Sequence, residues 1–101
     1  MEEITVEELK EKMDHNADFV LIDVRELYEY EEFNLAGKLI PLGEFMDKVP
    51  ELEELRNNEI IIYCRSGRRS AMATEVLTSA GFPNVKNLKG GVIRWKEVYP
   101  S

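Results

Sequence analysis

The sequence predicts an α/β domain of three layers, with helices on both faces of a small parallel sheet of about five strands. Three observations carry that prediction. Apolar strand-like segments alternate with helix-like segments along the chain. The two most apolar segments, residues 19–24 and 60–64, lack the period-2 alternation of a half-exposed strand and so suit a sheet covered on both faces. The chain has 101 residues with 44% apolar residues, which suits one globular unit over residues 1–101 and leaves little room for a second.

The elements follow in order. Thr5-Val6-Glu7-Glu8 reads as a capping box, in which the Thr5 hydroxyl accepts from the Glu8 amide and Glu8 reaches back. Val6, Leu9 and Met13 then share one helical face. Residues 19–24 form a buried strand ended by charge. Residues 26–33 form a short helix with Leu27, Tyr30 and Phe33 as its inner stripe. Residues 38–41 are a short strand, and residues 43–55 give one or two short helices interrupted at Pro50. Residues 59–63 are the second buried strand. A helix over residues 69–80 turns Met72, Ala73, Val76 and Leu77 inward and stops at Gly81. Residues 85–88 are a strand, and Gly90-Gly91 lead into a last helix carrying Val92, Trp95 and Val98.

Composition excludes several function classes. Twenty acidic and thirteen basic residues give a net charge of −7, which argues against general nucleic-acid binding. No apolar run approaches the roughly 18 residues of a membrane span, and the amino terminus lacks the basic start and apolar stretch of a signal peptide. One Cys and one His exclude an internal disulfide and argue against a structural metal site. The expected setting is the reducing cytoplasm. Charge is unevenly spread: residues 1–59 hold eighteen acids and six bases, residues 60–101 two acids and seven bases. Arg65, Arg68 and Arg69 concentrate positive charge where a small anion can be attracted.

That cluster surrounds the single cysteine. Cys64 ends an apolar strand, a glycine-containing loop follows, and a helix begins near Arg69, in the order Cys64-Arg65-Ser66-Gly67-Arg68-Arg69-Ser70. Parallel sheets bind ligands at the carboxyl ends of their strands. Loop amides wrapped around the sulfur would form an anion cradle, and the helix amino terminus would add partial positive charge. Both favour thiolate over thiol. A lone cysteine at a strand end is ordinarily a small buried hydrophobe; strand, cysteine, glycine loop, arginines and helix together point to a nucleophile. His15 reads as an exposed helix end, and Trp95 as core.

The heptapeptide Cys64–Ser70 resembles the active-site loop of rhodanese-domain sulfurtransferases. Leu21-Ile22-Asp23-Val24-Arg25, followed by the acidic stretch from Tyr28 to Phe33, resembles the opening strand and helix of these domains. Ala36-Gly37-Lys38-Leu39-Ile40-Pro41-Leu42 is similar to the segment where the family usually has His-Ile-Pro-Gly-Ala and then Ile-Pro, with Asn34 at the usual His and Ala36 at the usual Pro. Asn87-Leu88-Lys89-Gly90-Gly91 with Trp95 resembles the family's Leu-x-Gly-Gly-x-x-x-Trp ending.

The resemblance implies a persulfide relay without cofactor or metal. Cys64 would take sulfur from a small anionic donor such as thiosulfate, or from a persulfide, and pass it to cyanide or to a thiol on a small molecule or a thioredoxin-like protein. Arg65 and Arg68 are expected to bind the donor anion, and Arg69 to bind anions or brace the loop. Ser66 and Gly67 contribute loop amides, Gly67 also backbone freedom. Ser70 is expected to donate to the loop or cap its helix. Asp23 and Arg25 are expected to support the strand end beneath the loop. Related phosphatases carry Cys-x5-Arg, a seven-residue loop, whereas here Arg69 closes a six-residue loop and Ser70 follows. Two alternatives remain beside the sulfurtransferase: a persulfide carrier or sensing module without its own turnover, and a phosphatase or arsenate reductase on the same scaffold.

Overall fold

A computed structural model describes residues 1–100; Ser101, the last residue of the predicted domain, lies outside the described residues. The elements run β1 (Glu2–Ile4), α1 (Val6–Asp14), β2 (Val20–Asp23), α2 (Leu27–Glu32), β3 (Lys38–Leu39), α3 (Leu42–Lys48), a 3-10 helix (Val49–Leu55), β4 (Ile60–Tyr63), α4 (Arg68–Ser79), β5 (Val85–Leu88) and α5 (Gly91–Val98). All five strands are parallel, in the order β1-β5-β4-β2-β3. The three-layer prediction holds.

The central strand explains the layering. Every residue of β4 is buried, and successive side chains face opposite sides of a sheet. Ile60, Ile62 and Cys64 pack with Phe45 of α3, Leu52 of the 3-10 helix, and Ala73 and Leu77 of α4. Ile61 and Tyr63 pack on the other side with Val6 and Leu9 of α1 and Val92 and Trp95 of α5. Each fully buried aliphatic side chain contributes about 1.5–3 kcal/mol. Two covered faces leave β4 no polar alternation to display. Among the described residues no helix is long and apolar enough to cross a membrane.

Local signals place most boundaries. The capping box at α1 is formed, with Thr5 N–H on Glu8 at 2.9 Å and Glu8 N–H on Thr5 Oγ1 at 3.1 Å. Pro50 sits in the first turn of the 3-10 helix that takes over from α3. Gly81 follows the end of α4 at φ +91°, a left-handed conformation that favours glycine at a helix stop.

Two inward assignments are corrected. Leu27 is 56% exposed: α2 is only six residues long and buries none of them fully. Met72 is 61% exposed, because α4 turns Ser70, Ala73, Thr74 and Leu77 inward. That stripe has helical spacing but carries two hydroxyls, and Thr74 satisfies its own by donating to the Ser70 carbonyl at 2.7 Å. Strand β1, which no apolar run marks in the sequence, pairs Ile4 beside Leu88. Its two glutamates are exposed at the sheet edge, so the usual strand composition is missing.

Candidate active site

Cys64 directly follows the central strand, at the carboxyl edge of the sheet. The loop from Arg65 to Gly67 carries the chain into α4, whose N-cap is Gly67 at φ +102°. A side chain at that φ would be strained, so glycine permits the turn. The Gly67 amide donates to Cys64 Sγ at 3.1 Å, and Ser70 Oγ lies 3.3 Å from the same sulfur. The loop carbonyls are held from behind. Val92 N–H donates to the Cys64 carbonyl and Ile93 N–H to the Arg65 carbonyl, each at 3.0 Å. The first turn of α5 thus satisfies two carbonyls while amides of the same loop face the sulfur.

Cys64 has no exposed surface. Burial pushes its thiol up. The Ser70 hydroxyl and the amides of Ser70, Gly67 and Ser66 pull it down by more, so Cys64 lies below the ordinary cysteine value. The Gly67 amide and the Ser70 hydroxyl thus meet the sulfur at the amino terminus of the twelve-residue α4, where the helix dipole favours negative charge.

The structure separates the three arginines. Arg65 is exposed and lines an open cleft of about 700 Å³ together with Tyr28, Phe33, Arg69, Ile93 and Lys96. Arg68 is exposed on the first turn of α4 and is not part of this lining. Arg69 is committed to Glu29 of α2 through two bonds, at 2.7 and 2.8 Å. Glu29 also accepts the Glu26 amide at 3.1 Å. The Arg69 bond is the main reason that the Glu29 carboxyl is held down at about 2. Arg69 therefore braces α4 against α2 at the edge of the cleft. Ser66 is exposed and Ser70 fully buried.

Asp23 and Arg25 are buried together at the end of β2, where Arg25 Nη2 donates to Asp23 at 2.8 Å and to the Phe33 carbonyl at 2.7 Å. Asp23 stands in register with Tyr63, the residue before Cys64. The pair ties the strand next to the nucleophile to the segment after α2. His15 ends α1 with Nδ1 at 2.8 Å from the Glu11 carbonyl, and Trp95 packs into the core.

Three contributors were not singled out from the sequence. Asn87 on β5 is buried, accepts from Ser70 Oγ at 2.5 Å and donates to the Gly67 carbonyl at 3.1 Å. Its signal was a polar residue inside a short strand just before Gly90-Gly91. Glu29 pairs across forty residues, and Lys96 joins the cleft from α5; neither pairing carries a sequence signal.

The chain matches the family described as Rhodanese-like domain over residues 5–98. It is 43% identical over 94 residues to the "Putative sulfur carrier protein YrkF" of Bacillus subtilis, covering 92% of this chain and 50% of that protein. A protein named "Sulfurtransferase" from Allochromatium vinosum is 33% identical over 99 residues, covering 92% of this chain and 86% of that one. The crystal structure of a thiosulfate sulfurtransferase from Pseudomonas aeruginosa superposes with a TM-score of 0.85 at 30% identity, over 97% of this chain and 19% of that one. The chain spans about half the length of YrkF. These names support a sulfur-transfer role at a coarse level, and the extent of the family match shows that this chain belongs to the rhodanese-like domain family.

Proposed function

We propose that residues 1–101 form a sulfurtransferase domain in which Cys64 carries sulfane sulfur as a persulfide. The observation that carries this reading is the convergence of the Gly67 amide and the Ser70 hydroxyl on one buried sulfur. In the first half-reaction the Cys64 thiolate attacks the outer sulfur of thiosulfate. The sulfur–sulfur bond of the donor breaks, sulfite leaves with the electron pair, and Cys64 holds a persulfide anion. In the second, an acceptor thiolate attacks the outer sulfur and leaves as a persulfide, or cyanide leaves as thiocyanate, and the Cys64 thiolate returns. The fixed amides offset negative charge on sulfur in every state of this cycle without reorganising.

Arg65 is the guanidinium placed to draw an anionic donor into the cleft, since Arg69 is occupied by Glu29. The name of the Pseudomonas aeruginosa neighbour supports thiosulfate as that donor. A cleft of about 700 Å³ lies in the range that holds drug-sized ligands, which suits an acceptor such as a small thiol or the thiol-bearing segment of a thioredoxin-like protein. A single reduced cysteine fits a cytoplasmic reaction. The six-residue loop, shorter than a Cys-x5-Arg loop, disfavours phosphoryl or arsenate chemistry.

A carrier reading has its own support. The sulfur is covered in this conformation, and YrkF bears a sulfur-carrier name. Steady-state assays with thiosulfate and either cyanide or a small thiol separate the two. Turnover that Cys64→Ser abolishes while the circular dichroism spectrum stays native supports the enzyme. A stable persulfide without turnover supports the carrier. Turnover retained by Cys64→Ser removes both.

A further inference from the structure

We infer that Asn87 is a positioning residue that sets the reactivity of Cys64 by holding Ser70 and Gly67 against the sulfur. This deepens the sulfur-transfer reading, but its test reads the ionisation of one thiol, so the two can fail separately. Asn87 stands on β5, beside β4 in the sheet. Its side chain closes a circuit of four contacts. Gly67 N–H reaches Cys64 Sγ at 3.1 Å, Ser70 Oγ lies 3.3 Å from that sulfur, Ser70 donates to Asn87 Oδ1 at 2.5 Å, and Asn87 Nδ2 donates to the Gly67 carbonyl at 3.1 Å. Among the described residues no other amide side chain is buried, and this one donates to one and accepts from the other of the two residues that touch the nucleophile.

The arrangement has a chemical consequence. Ser70 has one hydroxyl proton and two acceptors within reach, Asn87 Oδ1 and the sulfur. When sulfur is a thiol, the Ser70 O–H points to Asn87 Oδ1 and a Ser70 lone pair faces the S–H. When sulfur is a thiolate or persulfide anion, that one proton turns from Asn87 to the charge, while the Asn87 amide keeps its bond to the Gly67 carbonyl and so holds the Gly67 N–H on the sulfur. Without Asn87, a serine near a helix start is free to bond backbone groups instead, and the Gly67 carbonyl keeps only the Ala71 N–H of its own helix, losing the bond that ties its peptide to β5. The charged pair near the sulfur, Arg69 of α4 with its Glu29 partner from α2, is untouched by the change.

The test is the pH dependence of Cys64 thiolate absorbance in Asn87→Ala, Ser70→Ala and the double variant, with thermal melts of each. Each single variant is expected to raise the midpoint by about 0.5–1 unit, a three- to tenfold loss of thiolate at pH values below it. The double variant is expected to move it by less than the sum, because Asn87 acts through Ser70. A folded Asn87→Ala protein whose midpoint is unchanged or lower overturns the proposal, even if its melting temperature falls, since a structural prop alone would do that. Should the alanine variant not fold, Asn87→Thr puts a hydroxyl in place of the amide on a strand-compatible residue. A rise in its midpoint above wild type then supports the role, and no rise overturns it.

Discussion

Gly91 and Cys64 are packed backbone to backbone: a Cβ on residue 91 would stand 2.5 Å from the Cys64 carbonyl oxygen and 2.6 Å from that of Arg65. This closeness lets the Val92 and Ile93 amides reach those two carbonyls. It also turns the peptide groups of the loop so that other amides face the sulfur. The glycine pair that looks like a simple turn in sequence is thus part of the nucleophile's scaffold.

Gly91→Ala tests that role. Gly91 sits at φ +55°, and backbone atoms block the new methyl, so the loop or α5 must move. A loss of about 2 kcal/mol or more is expected in urea denaturation, together with a rise in the Cys64 ionisation midpoint as the cradle loosens.

The Glu29–Arg69 pair makes stability depend on pH with a definite sign. The folded carboxyl is held at about 2, against an ordinary 4.5. Its contribution is therefore complete above about pH 4.5 and is lost as pH falls through about 2. With Arg69 about one-third exposed, solvent screening limits that contribution to about 1–2 kcal/mol. Denaturation of wild type and Glu29→Gln between pH 2 and 6 should show a gap of that size at pH 6 that closes toward pH 2.

Arg65 and Arg68 should separate in kinetics. Arg65 lines the cleft and Arg68 does not. If one guanidinium contributes about 1–2 kcal/mol to an anionic donor, Arg65→Ala lowers kcat/KM for thiosulfate by about 5- to 30-fold. The loss should shrink as salt rises. Arg68→Ala should cost less than threefold, a difference that parallel assays of the two variants measure directly.

Ala36 explains a departure noted in the sequence. It adopts φ +67°, where Asn34 Oδ1 accepts its amide at 2.8 Å. Proline, usual at this place in the family, is locked near φ −65° and has no N–H to give. Asn34 and Ala36 therefore form a local alternative to the usual His and Pro. Ala36→Gly should relieve the strain and raise stability by about 0.5–1 kcal/mol, seen as a melting temperature about 2–8 °C higher.

The parts of the fold and site that were legible in sequence are those governed by local chemistry. Thr5 and Glu8 cap α1 three residues apart. Ile60, Ile61 and Ile62 declare a strand covered on both faces, and Cys64 through Ser70 outline a loop between that strand and a helix. What escaped depends on partners distant in sequence. Arg69 could brace or bind until Glu29, forty residues away, was placed beside it. Met72 looked like core because apolar character was read where shape decided, while Ser70 and Thr74 took the inner face through internal hydrogen bonds. Residues Glu2–Ile4 join the sheet by pairing with β5, although two of the three are glutamates.

The central claim is that Cys64 accepts sulfur as a persulfide, and intact-protein mass spectrometry after brief exposure to thiosulfate tests it most directly. The account predicts a gain of about 32 Da, one sulfur atom captured by the nucleophile, mapped to the peptide containing Cys64, reversed by dithiothreitol and absent in Cys64→Ser. Folded protein that gains no such mass from thiosulfate or from a persulfide donor, or a gain that persists in Cys64→Ser, would contradict it.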